Sequence, residues 1–214
     1  MLQSSTEKGR ISAILNTLAE QYPDAKCALN FRNAFELLVA TILSAQCTDK
    51  RVNEITARLF TEVKGPGDIV ELGVDGLAER IRGLGLFRNK SKHLYEAAVI
   101  LLEQYDGKVP ESREALMKLP GVGRKTANVV LANAFGQPTI AVDTHVQRVA
   151  NRLGLAHSDD PEGTERQLME VVPQELWIDT HHRLIQHGRA LCKARRPLCE
   201  KCPLLPYCPA GRLP

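Results

Sequence analysis

Apolar residues recur along most of this chain at intervals of three and four, the spacing of helices with one buried face. Ile11, Ile14, Leu15 and Leu18 share one face of a helix expected over 7–22, and Pro23 marks its stop. Phe31, Phe35, Leu38 and Ile42 form the stripe of a second, buried helix. Polar residues from Ser44 to Asp49 interrupt that stripe, and Thr48 or Asp49 stands where it can cap the next helix. This third helix carries Val52, Ile55, Leu59 and Phe60 and stops near Gly65-Pro66-Gly67. Residues 68–81 read as two short helices joined at Gly73, and Gly83-Leu84-Gly85-Leu86-Phe87 as a glycine-softened turn. A helix bearing Leu94, Ala98, Leu101 and Tyr105 follows, ended by Gly107. Next come a short helix over 111–118 and a longer one over 122–134, whose apolar face is Ala127, Val130, Leu131 and Ala134. Gly136-Gln137-Pro138 breaks it, and residues 139–142 are extended but too short for a sheet. Asp143 is placed to cap a helix with Val146, Val149, Ala150 and Leu153 inward, Asp160-Pro161 opens another, and a last helix covers about 174–190. Sustained strand alternation is found nowhere, so the expected fold class is all-α.

Composition alters this picture little. A hydrophobic content of 43% with 25% charged residues is that of a globular chain, and no run approaches the ~20 apolar residues of a membrane span. The first ten residues are polar, without an apolar signal region, so a cytoplasmic chain is expected. A net charge of +3 is mild, but its distribution is uneven: Gly188 to Pro214 holds six Lys or Arg against one acid, Glu200. A basic end on a near-neutral body suits contact with a polyanion.

Two stretches carry candidate chemistry. In Leu119-Pro120-Gly121-Val122-Gly123-Arg124-Lys125-Thr126, a proline ends one helical segment, two glycines make a tight hairpin, and a basic pair opens the next helix. Glycine permits backbone conformations that a Cβ forbids, and exposed N–H groups at the positive end of a helix form a phosphate cradle. Four of the six cysteines crowd the C-terminus as C-x6-C-x2-C-x5-C, at Cys192, Cys199, Cys202 and Cys208. Without a secretory signal such crowding favours metal over disulfide. Zinc ribbons usually present two C-x2-C knuckles and only Cys199 and Cys202 form one, but the spacing alone leaves both zinc and an iron–sulfur cluster open. Residues 192–208 hold three prolines and few apolar side chains, too little to fold without a metal tying the loops together. Cys27 and Cys47 lie outside the set and receive no role. His181 and His182 read as helix-face residues.

The hairpin followed by these cysteines resembles the helix–hairpin–helix DNA glycosylases, and most closely the endonuclease III family. The resemblance spans nearly the whole chain and implies a six-helix domain at 27–137, its hairpin at about 111–134. An iron–sulfur domain of 1–26 plus 138–214 would hold a [4Fe–4S] cluster on the four cysteines in the loop 192–208, with a DNA groove between the domains. It implies a monomeric bifunctional glycosylase and AP lyase acting on oxidised pyrimidines in duplex DNA, working at the nucleoid of a prokaryotic cell. Lys125 would be the nucleophile and Asp143 the assisting carboxylate. A helix of about 12 residues spans about 18 Å, and seven extended residues reach about 23 Å, so Asp143 can return level with Lys125. Gln46 matches the family's intercalating glutamine and Leu86 an opposing wedge. Gly121, Gly123 and Arg124 would grip backbone phosphate, Asp49 and His145 would line the cleft, and Lys193, Arg195 and Arg196 would present charge to DNA. Adenine-excising relatives have another residue at the lysine position, so Lys125 favours the lyase. The alternatives are a non-catalytic DNA-binding iron–sulfur protein and a monofunctional mismatch glycosylase, which would leave the strand intact.

Overall fold

In the computed structural model, residues 2–211 are described, with side chains from Thr6 onward. Among them ten α-helices and three short 3₁₀ turns account for all the regular structure, so the chain is all-α. The helices are α1 (Leu2–Gln21), α2 (Ala34–Leu43), α3 (Asp49–Glu62), α4 (Pro66–Arg80), α5 (Phe87–Tyr105), α6 (Arg113–Leu116), α7 (Arg124–Phe135), α8 (Thr144–Arg152), α9 (Pro161–Val171) and α10 (Trp177–Ala190).

Local chemistry sets most of these boundaries. Thr48 rather than Asp49 is the N-cap of α3, its hydroxyl accepting the N–H of Arg51. Asp160 accepts the N–H of Gly163 and places Pro161 in the first turn of α9, where a missing N–H costs nothing. Gly73, at φ 67°, kinks α4 into the two pieces its glycine suggested. Three expectations shift. The stripe that begins at Phe31 overruns its helix, because Asn33 accepts the N–H of Glu36 and starts α2 one residue later. The helix expected over 111–118 shrinks to the single turn of α6, capped by Ser112. Val122 belongs to the hairpin and not to α7.

Contacts divide the chain into two units, one continuous from Cys27 to Gln137, the other formed by the chain on either side of it. The first holds α2 to α7 around a core that includes Leu37, Leu38, Leu43, Leu77, Leu116 and Val130. The second packs α1 with α8, α9 and α10 around Ile14, Leu18, Val146, Val149, Leu168 and Leu184. Arg10 of α1 ties this discontinuous unit together: its guanidinium donates to the carbonyls of Leu153 at 2.6 Å and Tyr207 at 2.9 Å. No helix among the described residues is long and apolar enough to cross a membrane.

His182, a helix-face residue of α10, is buried, its ring 3.9 Å from that of His181. Burial pushes its pKa down to about 4, with Asp179 opposing. The unfolded chain takes up this proton near pH 6.5 and the native chain does not, so stability is present above 6.5 and falls as pH drops toward 4. About 3 kcal/mol is lost across that window. In His182→Gln, urea midpoints measured between pH 7 and 4 should vary less steeply than in the parent.

Candidate active site and cluster site

The hairpin grows from two buried leucines, Leu116 and Leu119, that anchor the chain entering it, with the Val122 N–H donating to the Leu119 carbonyl at 3.1 Å across the turn. Its two glycines do different work. Gly121 stands at φ 80°, and a Cβ there would lie 3.2 Å from His93 Cβ and 3.3 Å from Ile42 Cγ2. Gly123 has ordinary extended backbone, φ −93° and ψ 178°, and a Cβ on it would meet nothing. Only the first glycine is conformationally required, which corrects the expectation that both are. The second is the N-cap of α7 and supplies no side-chain cap, and no acid stands in the first turn. The leading N–H groups of α7 are therefore open to an external anion. Arg124 is half-buried beside them and Lys125 is exposed. Gly121→Ala should lower stability by about 1–2 kcal/mol through its left-handed φ, whereas Gly123→Ala should cost less than about 1 kcal/mol. Chemical denaturation of the pair checks the contrast.

Gln46 and Leu86 sit in the two short loops that precede α3 and α5, and both are exposed. Leu86 is 55% exposed. Four non-glycine residues among those described have left-handed backbone: Gln46, Leu86, Asp106 and Arg196. Asp106 ends α5, an ordinary place for such a residue. The other three lie in loops between helices or between cysteines. Strained backbone of this kind concentrates at working sites.

Asp143 caps α8, its Oδ1 accepting the N–H groups of His145 and Val146, each at 2.8 Å. Its Oδ2 is 3.3 Å from His145 Nδ1, so these two candidates form one pair at the start of α8. Lys125 belongs to the unit of residues 27–137 and Asp143 to the other. Asp49 is half-buried in the first turn of α3.

Cys192, Cys199, Cys202 and Cys208 all line one cavity of about 320 Å³, together with His187, Arg152, Leu198 and Leu205. No three His, Cys, Asp or Glu side chains among the described residues converge as a single metal ion requires. A chamber walled by four thiols suits a polynuclear cluster that reaches each sulfur separately. Burial pushes the Cys202 and Cys208 thiols up, and the neighbouring cysteines push the same way. Bound iron would offset that mutual repulsion. Lys193, Arg195 and Arg196 are exposed on the loop between the first two cysteines.

Four residues that the sequence reading did not single out hold this region. Arg152 donates to Cys192 Sγ at 3.4 Å and to the carbonyls of Lys193 at 2.7 Å and Ala194 at 3.1 Å. Arg148, one turn earlier on α8, donates to the carbonyls of Cys192 at 3.1 Å and Gly188 at 3.0 Å. His187 is buried with Nε2 3.6 Å from Cys202 Sγ and Nδ1 3.1 Å from the Tyr22 hydroxyl. The i, i+4 spacing of Arg148 and Arg152 was a legible signal; nothing in the sequence linked Tyr22 to Cys202.

Known proteins resemble the chain along its length. Residues 39–174 match the HhH-GPD superfamily of base excision DNA repair proteins, and residues 192–208 match the iron–sulfur binding domain of endonuclease III. Endonuclease III of Bacillus subtilis is 48% identical over 204 residues, covering 95% of this chain and 93% of that protein. Endonuclease III of Escherichia coli K12 is 49% identical over 201 residues, 94% and 95% of the two chains. The solved structure of a trapped endonuclease III–DNA covalent intermediate superposes with a TM-score of 0.91 at 50% identity, covering 95% of this chain and 96% of that one. A thermostable thymine-DNA glycosylase shares the fold at 25% identity and a TM-score of 0.86, covering 95% and 97%. The cofactor is a [4Fe–4S] cluster. With its hairpin, its four-cysteine chamber and relatives at nearly half identity over almost its full length, the chain belongs to the endonuclease III family of base excision DNA repair proteins.

Proposed function

We propose that this chain removes oxidised pyrimidines from duplex DNA and then nicks the strand at the resulting abasic site. Its family membership makes it a DNA glycosylase with AP lyase activity; the lesion class and the residue roles are our reading. One observation carries that reading: an exposed lysine in the first turn of a helix whose N-terminus no side chain caps. Phosphate bound at those N–H groups, at Gly121, Gly123 and Arg124, would bring the sugar of the target nucleotide to Lys125.

The neutral amine of Lys125 attacks the sugar C1′ as the base leaves with a proton, giving an imine once the ring opens. Loss of a proton from C2′ then expels the 3′ phosphate, and water releases the lysine. Departure of the base builds positive charge on the sugar, and the Asp143 carboxylate, oriented by its cap bonds, offsets it. Gln46 and Leu86 fill the gap that an extruded nucleotide leaves, since a base must quit the stack before it is cut. His145, Lys193 and Arg195 contact backbone phosphate. Cys192, Cys199, Cys202 and Cys208 hold the cluster, which supplies a structural cross-link and no bond-breaking step. The protein works as a monomer at the nucleoid of a prokaryotic cell; its bacterial endonuclease III relatives support the cell type.

A panel of single-lesion duplexes, assayed separately for base release and for nicking, tests the proposal. Oxidised pyrimidines should be released with a strand break. Base release that leaves the strand intact would identify a monofunctional mismatch glycosylase instead.

A further inference from the structure

Gln46 and Leu86 stand at φ 56° and 57°, and neither side chain is buried in a way that would hold its backbone there. Such conformations persist only where surrounding contacts over-determine them. Here the contacts come from the helix that follows each loop, and each helix holds the other's loop. Arg51, in the first turn of α3 just beyond Gln46, donates from Nε to the Gly83 carbonyl at 3.1 Å, in the loop that bears Leu86. Its guanidinium lies so near Gly83 that a Cβ there would be 2.1 Å from Nη2. Lys90, in the first turns of α5 just beyond Leu86, points Nζ at Cys47 Sγ, 3.1 Å away and next in sequence to Gln46. The loops themselves are in van der Waals range: a Cβ on Gly85 would lie 3.9 Å from both Cys47 Sγ and the Gln46 carbonyl oxygen.

Lys90 is placed against its own interest. It is 4% exposed, although lysine is almost never buried without a partner. It also lies near the positive end of α5, where a cation does not stabilise the helix. Arg51 likewise turns a long side chain across to a neighbouring loop. Neither feature serves the hydrophobic core, and both act on the backbone that carries the two exposed residues.

We propose that Arg51–Gly83 and Lys90–Cys47 form a reciprocal clasp that joins Gln46 and Leu86 into one preorganised wedge. Arg51, Lys90 and Cys47 are then positioning residues for nucleotide extrusion. The inference rests on the reading of Gln46 and Leu86 as gap fillers. Its physical basis is that the ordering of both loops is complete before DNA arrives, so binding energy goes into unstacking the base.

The test compares Lys90→Met and Arg51→Met with the parent under single-turnover conditions. One substrate is a duplex with a paired lesion; the other carries an abasic site opposite a gap, where nothing needs to be unstacked. Each variant should lose about tenfold on the paired duplex and retain its rate on the gapped one. A 2-aminopurine base beside the lesion should lose its fluorescence rise on binding in the same order. Cys47→Ser, which keeps an acceptor for Lys90, should restore most of the paired-duplex rate lost in Cys47→Ala. Equal losses on both substrates, or no loss on the paired one, would overturn the clasp. Arg51 is 46% exposed at its side chain, so Arg51→Met carries the test if Lys90→Met unfolds. Gln46→Ala and Leu86→Ala separate the two levels. If they too leave the paired rate unchanged, the gap-filling reading fails; if they are defective while the clasp variants are normal, only the clasp fails.

Discussion

Lys125→Ala should abolish the covalent adduct that borohydride traps between the protein and duplex DNA bearing an abasic site. Without a primary amine no imine forms, and nothing remains for the reductant to fix. Strand nicking should fall at least about a thousandfold, equivalent to about 4 kcal/mol of transition-state stabilisation. Two further readouts confine this loss to chemistry. Lys125 is exposed, so its truncation should change stability by no more than about 0.5 kcal/mol. The uncapped N-terminus of α7 and the Gly121 turn are also unaltered, so affinity for abasic duplex should change only a few-fold. A Lys125→Ala protein that still forms the adduct would move the nucleophile elsewhere. One that loses DNA binding in parallel with nicking would make the lysine a phosphate contact.

Cys199→Ser should give colourless protein whose second unit is loosened while residues 27–137 keep their fold. The chain from Cys192 to Cys208 contains two 3₁₀ turns and a single fully buried apolar residue, Leu204. Its other ties include the polar bonds from Arg10, Arg148 and Arg152 and the contact of His187 with Cys202. Structural zinc in small finger peptides contributes about 10–16 kcal/mol, comparable to the about 5–15 kcal/mol that holds a whole domain together, and a four-thiolate cluster tying the same kind of loop acts in the same way. Limited proteolysis should therefore cut the variant between residues 190 and 211 and spare the other unit. Loss of the pinned loop should also reduce DNA affinity, because Lys193, Arg195 and Arg196 would no longer stand at fixed positions. A colourless variant that stays well folded with full affinity would contradict the structural role of the cluster.

Much of this was legible in the amino-acid order because it depends on local physics. Helix stripes such as Val146, Val149 and Ala150 report burial through spacing alone, and Thr48, Asp143 and Asp160 announce helix starts by what their side chains accept. The hairpin and a thiolate metal site were equally readable, since a tight turn needs glycine and four crowded cysteines outside a secretory setting favour metal; iron rather than zinc came with the family resemblance. The different duties of Gly121 and Gly123 were not readable, because they depend on whether His93 and Ile42 crowd the turn from distant positions. The same holds for Leu86, whose exposure is set by its loop and not by its hydrophobicity. Tertiary structure alone brought Tyr22 and His187 to Cys202, Arg152 to Cys192, and Lys90 to Cys47. Periodicity records which residues leave water; only the folded chain decides which polar groups, once out of water, must find each other.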